Sequence, residues 1–247
     1  MHYIVFDMEF NQDFSSLRET DTKWLKYPFE IIQIGTVKLD CNLNTLATFN
    51  RYVRPTIYGK VSSFITELTG ITTEQLLTKE AFPEVYNSFV EFIDDRDSIF
   101  CIWGMSDIKE LFKNVKYHNL DSKLISNMYI NLQPYVSRHF NLPSKHLPRL
   151  QSTVEALNVP ITYSFHNALF DAYYTAEIFK KIYNPFIEPK LYDPSYVPVR
   201  QRQRKREIDF ERLIQQFKKM YAREMTEEEQ EMIKLAYKMG KTHQFLK

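Results

Sequence analysis

The chain has 247 residues, 44% hydrophobic and 26% charged, which excludes an intrinsically disordered chain and allows one sizeable domain with or without an appendage. With 32 Lys and Arg against 31 Asp and Glu, the net charge is +1, not the overall footprint of a protein that coats nucleic acid; phosphate contacts must come from local basic patches or from metal ions offsetting an acidic pocket. Five glycines and two cysteines, Cys41 and Cys101, exclude a Gly-rich phosphate loop, a disulfide framework and a Cys-rich zinc site, and with no leader-like segment or membrane-length apolar run the expectation is a cytoplasmic protein, without membrane contact, whose thiols are reduced and buried.

Tyr3-Ile4-Val5-Phe6 is a continuous apolar run, as expected of a strand buried on both faces, and it ends in Asp7-Met8-Glu9. Residues 11 to 29 are polar and mixed and read as a long loop. Glu30–Asp40 and Leu46–Arg54 alternate around a turn at 41–45, which predicts a hairpin beside the first strand. Ser62 caps a helix running toward Leu68, with Gly70 after its end, and Pro83 opens another helix through Ile93. Ile99–Trp103 reads as a second buried strand, broken by Gly104 and followed by a helix from about Ser106.

Three further helices are predicted, over about 129–140, 147–157 and 167–183. The order of elements predicts an α/β fold with a mixed sheet flanked by helices. Pro185, Pro189, Pro194 and Pro198 then crowd one short stretch, which places a domain boundary after residue 185. The rest, 186–247, reads as a Pro-rich and basic linker with a helical extension. Its basic run holds Arg200, Arg202, Arg204, Lys205 and Arg206, suited either to a phosphate backbone or to a solvated linker. Amphipathic helices follow at about 210–221 and 226–239, the second capped by Thr226 and stopped by Gly240.

Asp7 and Glu9 are two apart on a strand, so both side chains point to one face. Two carboxylates held side by side repel; either a divalent cation lies between them or one stays protonated. Asp107 falls in the first turn of a helix, where it or Ser106 also suits an N-cap. His166 stands just before the helix that contains Asp171, and the apolar neighbours Phe170 and Ala172 imply that Asp171 is partly buried and needs a partner.

Taken together, Asp-x-Glu on a first strand, an Asp after a later strand and His-x-x-x-x-Asp on a late helix resemble the DEDDh 3′→5′ exonuclease family of the ribonuclease-H-like fold. FDMEF (6–10), EIIQIGTVKL (30–39), SSFITELTGIT (62–72), WGMSDIKEL (103–111) and HNALFDAYYTAEIF (166–179) carry the likeness, and YINLQ (129–133) points to the Eri-like branch. Phe10 stands where many relatives place Thr, which bears on substrate fit rather than on activity.

The resemblance implies two divalent ions, Mg²⁺ or Mn²⁺, with Asp7 bridging both, Glu9 and Asp171 holding the ion that binds the attacking water, and Asp107 supporting the other. It makes His166 the general base, since the alternative Tyr-x-x-x-Asp arrangement would need Tyr at 167, which is Asn; Tyr163 is the nearby tyrosine. The implied partners are single-stranded or 3′-overhanging RNA or DNA, cut to nucleoside 5′-monophosphates, with Met8, Phe10, Phe64 and Met105 as candidates to touch the terminal bases. Phe64 also suits the core of its own helix. The other readings are a non-catalytic nucleic-acid-binding protein that keeps the fold, and a hydrolase of some other phosphodiester. Protein partners are not legible.

Overall fold

The structure is a computed structural model that describes residues 1–12, 29–94, 97–143, 146–195 and 209–241. The run at 200–206 and most of the loop expected at 11–29 lie outside the described residues.

Strand β1 (Tyr3–Asn11) pairs antiparallel with β2 (Glu30–Leu39), which pairs antiparallel with β3 (Thr45–Tyr52). On its other side β1 pairs in parallel with β4 (Ile99–Ile102), and β4 in parallel with β5 (Met128–Asn131). A short β6 (Lys190–Leu191) closes the edge antiparallel to β5, giving a mixed sheet ordered β3-β2-β1-β4-β5-β6. Because β1 and β4 run parallel side by side, their carboxyl ends lie at one edge of the sheet, the usual place for a ligand in an open α/β sheet.

The pleat divides β1 between two cores. Ile4, Phe6 and Met8 join the core that packs under α3 (Phe82–Ile93) and α4 (Ser106–Tyr117). Tyr3 and Val5 face the opposite core, built with α5 (Gln133–His139), α6 (Leu150–Ala156) and α7 (Ala168–Ile182). Continuing the same period of two puts Asp7 and Glu9 on the face that α7 covers.

Local signals place the helix ends. Ser62 Oγ accepts from Ile65 N–H at the start of α1 (Ser63–Thr69), and Gly70 closes it in the left-handed region at φ 74°. Thr72 and Gln75 form a capping box on α2 (Thr73–Leu76), a helix too short to stand out in sequence. Gly104, at φ 90°, turns the chain after β4 toward α4.

Several expectations are corrected. The stretch 129–140 is not one helix: Tyr129 and Ile130 pair with Phe100 and Cys101 as β5, and the helix begins only at Gln133, with Pro134 in its first turn. Four residues are too few to display a period, so the strand hid behind the helix that follows it. The helix expected at 147–157 starts at Leu150. Neither Ser106 nor Asp107 caps α4; Met105 occupies that position. Cys101 is buried, but Cys41 is exposed in the turn of the β2–β3 hairpin.

The first compact unit runs to Tyr196, later than the boundary read after residue 185, because β6 draws residues beyond that point onto the sheet. The second unit, 197–247, contains α8 (Phe210–Tyr221) and α9 (Glu227–Lys241). Gly240 lies inside α9 rather than after its end. Among the described residues no helix is long and apolar enough to cross a membrane.

Candidate active site

Four acidic residues from three elements meet at this edge. Asp7 and Glu9 come from β1, Asp107 from the first turn of α4 and Asp171 from the first turn of α7. One carboxylate oxygen from each of Asp7, Glu9 and Asp171 lies within 4.8 Å of the other two. Glu9, Asp107 and Asp171 are buried, and Asp7 is partly so.

Burial raises every one of these groups, and neighbouring carboxylates add to it at Asp7, Glu9 and Asp107. Loss of solvent pushes Asp7 well above its ordinary value, and the charges of Asp107, Asp171 and Glu9 push it further, against a hydrogen bond from the Met8 backbone. Burial, then Asp171 and Asp107, lifts Glu9 to about 8. Burial lifts Asp107 to about 7 and Asp171 to about 6, the latter opposed by a hydrogen bond from His166. Such a cluster stores electrostatic free energy that a cation would release.

Asp171 is poised for a cation. Its Oδ2 accepts the backbone N–H of His166 at 3.1 Å, while its Oδ1 is buried with no hydrogen-bond partner. A buried carboxylate oxygen without a donor, among other carboxylate oxygens, fits a hard divalent ion with oxygen ligands, so the residues present suit Mg²⁺ or Mn²⁺.

His166 is exposed, and its backbone, held at φ 63°, is tied to this cluster through its N–H bond to Asp171. The turn that presents it is tied to the sheet by Gln33, a buried polar residue in an otherwise apolar stretch of β2. Gln33 Nε2 donates to Asn167 Oδ1 at 3.2 Å and to Asn50 Oδ1 at 3.0 Å, and its Oε1 accepts from Ala168 N–H at 3.3 Å. Asn167 caps α7, its Oδ1 also accepting from Leu169 N–H at 3.2 Å. Two residues along β2, a Cβ on Gly35 would stand 2.0 Å from Leu169 N and 2.1 Å from the Ala168 carbonyl carbon. The absence of a side chain there lets α7 lie directly on β2, across from Asp7, which is opposite Gly35 in the register. Sequence reasoning missed both residues as parts of the site; a Gly inside a strand and a Gln inside an apolar run were the available signals.

The candidate base contacts divide. Phe64 is 68% exposed on α1, which overturns its reading as a core residue of that helix. Asn11, at the end of β1, holds α1 close: its Oδ1 accepts Ser62 N–H at 3.0 Å and its Nδ2 donates to Lys60 O at 2.9 Å. Phe10 and Met105 are half-buried against the core, Phe10 with its ring centroid 6.4 Å from that of Phe29. Met8 is only 3% exposed and packs in the core, because its place between Asp7 and Glu9 turns it to the opposite face of β1; its side chain is not available to a base.

Comparison with known proteins agrees with this arrangement. The family model RNase_T, described as Exonuclease, matches residues 4–179. The mouse 3′-5′ exoribonuclease 1 is 29% identical over 161 residues, 60% of this chain and 45% of that protein. The PolC-type DNA polymerase III of Caldanaerobacter subterraneus subsp. tengcongensis is 29% identical over 187 residues, 73% of this chain and 11% of the polymerase. This chain therefore spans under half the length of either relative. A crystal structure of the nuclease domain of 3′hExo, a DEDDh family member bound to rAMP, superposes with a TM-score of 0.64 at 22% identity, covering 78% of this chain and 96% of that one. With the match running through most of the chain, from β1 into α7, the protein belongs to the RNase T family of exonucleases and has the ribonuclease-H-like fold.

Proposed function

We propose that this chain hydrolyses the terminal phosphodiester at the 3′ end of RNA or DNA and releases a nucleoside 5′-monophosphate. The observation that carries the reading is the cluster of Asp7, Glu9 and Asp171, with the orphaned Asp171 Oδ1 inside it and His166 at its edge. Asp7, Glu9, Asp107 and Asp171 would hold two divalent ions, Mg²⁺ or Mn²⁺. When bound, the ions supply the positive charge that stabilises the attacking and leaving oxygens of an in-line displacement.

His166 acts as the general base. It takes a proton from the water that attacks phosphorus; the bond from phosphorus to the 3′-oxygen breaks, and that oxygen leaves with a proton as the new 3′-hydroxyl. The bond from His166 N–H to Asp171 Oδ2 and the clasp of Gln33 fix the backbone that carries the imidazole. Phe64, Phe10 and Met105 are the candidate apolar contacts for the terminal bases. The relatives carry names from both RNA and DNA chemistry, and both polymers are kept as substrates.

The test is release of mononucleotide from 5′-labelled single strands of RNA and of DNA with Mn²⁺, followed by addition of EDTA. A ladder shortening from the 3′ end that EDTA stops is expected. Tight binding without any release would favour the alternative, a nucleic-acid-binding protein that keeps the fold.

A further inference from the structure

The segment between α6 and α7, which carries His166, is tied down through the Tyr163 main chain, beside a group of aromatic rings that the chemistry above does not use. The buried Tyr174 hydroxyl donates to Tyr163 O at 2.7 Å and accepts Tyr163 N–H at 2.8 Å. With both of its main-chain polar groups engaged, Tyr163 is held in one backbone orientation. Its ring lies flat against Phe170, with centroids 4.4 Å apart and planes 9° apart, and Tyr173 meets it at right angles at 5.5 Å. Tyr163 is nevertheless 44% exposed, and its neighbour Ile161 is more so.

The position is suggestive in chemical terms. Tyr163 is three residues before His166, so at no more than about 3.6 Å per residue their Cα atoms are within roughly 11 Å. Phe170 immediately precedes Asp171. A strand stacked at about 3.4 Å per nucleotide covers that distance in about three nucleotides. A ring pair fixed in place and open to solvent offers a face to any base without regard to sequence, and it loses little freedom on binding. The tether runs through the Tyr163 main chain, so the ring is not needed to hold the His166 segment.

We propose that the Tyr163–Phe170 pair is a stacking platform for one unpaired base of the strand whose 3′ end is being cut. The inference rests on the exonuclease reading and adds a preference for single-stranded ends, because a paired base inside a duplex cannot turn its face to the rings.

The experiment is fluorescence polarisation with the full chain, Ca²⁺ and 5′-fluorescein single strands, some carrying an abasic site at each of the last six positions in turn. Tyr163→Ala is expected to weaken binding of the intact strand by roughly 5- to 150-fold, and Tyr163→Phe by less than about twofold. At one position the abasic site should weaken the parent by the same factor and leave Tyr163→Ala with no further loss. Strictly additive losses at every position would overturn the platform, and so would parent-like binding by Tyr163→Ala. Hydrogen exchange over residues 160–170 separates a prop from a platform: faster exchange in Tyr163→Ala than in the parent would also overturn it. These readouts need no turnover, so absence of mononucleotide release by the parent would defeat the exonuclease reading and be seen separately.

Discussion

Gly35→Ala is a methyl group's worth of change, yet it is expected to disable the site from behind. The added Cβ would stand 2.0 Å from Leu169 N, 2.1 Å from Ala168 C and 2.4 Å from Ala168 O. Carbon atoms in good contact are about 3.5–4.0 Å apart, so β2 and the first turn of α7 would have to separate by roughly 1.4 Å or more. All three atoms belong to main chain, and no change of rotamer can relieve them. Overpacking a rigid interior costs about 1–3 kcal/mol, occasionally more, and a clash with main chain belongs at the upper end. The catalytic consequence is larger in proportion. The displaced turn carries Asp171 and follows directly from His166, and a misplacement of about 1 Å can lower a rate about 10²-fold. The assay pairs urea unfolding with single-turnover release from a 5′-labelled strand at saturating Mn²⁺. The expected result is a loss near 3 kcal/mol in stability with at least a ~10²-fold loss in rate under conditions where the variant is still folded. A parent-like unfolding midpoint together with parent-like turnover would refute the claim that α7 is seated by the missing side chain.

Asp7→Asn should abolish turnover while the metal-free protein melts no lower than the parent, since the change removes a charge that Asp107, Asp171 and Glu9 all oppose; retained turnover would sink the assignment. His166→Ala should lose roughly 10²–10⁴-fold in rate with little change in Mn²⁺ affinity by calorimetry, and a collapse of affinity would instead make His166 a ligand. The metal-free protein should lose stability as pH rises, because carboxyls held at about 6, 7 and 8 for Asp171, Asp107 and Glu9 bind more protons folded than unfolded. The loss should begin near the ordinary carboxyl values, about pH 4, and the melting shift given by Mg²⁺ should grow through the same window as ions displace those protons. Thermal melts from pH 4.5 to 8.5 decide it: a metal-free melting temperature that climbs as Glu9 and its neighbours ionise would contradict the account of the cluster. Gln33→Met, which keeps bulk but loses every bond to the Asn167–Ala168 turn, should lower the rate at least about tenfold, with Asn50→Ala doing less because the Asn50 side chain bonds Gln33 rather than that turn.

Much of the site was legible because parts of it are local. The strand period of two puts Asp7 and Glu9 on one face, whatever surrounds them. Ser62 and Gly70 bound α1, and Asn167 starts α7, because a cap acts within a turn of its own helix. The stretch at 129–140 failed for the matching reason. Tyr129 and Ile130 have no strand signature of their own; their state is decided by Phe100 and Cys101, far away in sequence, which offer a ladder to pair with. The burial of Cys41 and the core reading of Phe64 failed likewise, since apolar neighbours in sequence do not report what covers a side chain in space.

By itself, then, the sequence determined most of the longer helices and strands outside 129–140, though not α2, β6 or the start of α6, along with the shared face of Asp7 and Glu9 and a joint pattern of acids and histidine that points to the family. The tertiary structure alone decided that Asp107 and Asp171 come to Asp7, that the acids are buried deeply enough to be raised above ordinary carboxyl values, and that Gly35 and Gln33 are what seat α7 and its histidine. The division follows from range. Backbone periodicity and capping act over a few residues and are written in the chain, whereas burial, repulsion between carboxylates and main-chain contact act between segments more than 100 residues apart, and exist only once the sheet has brought those segments together.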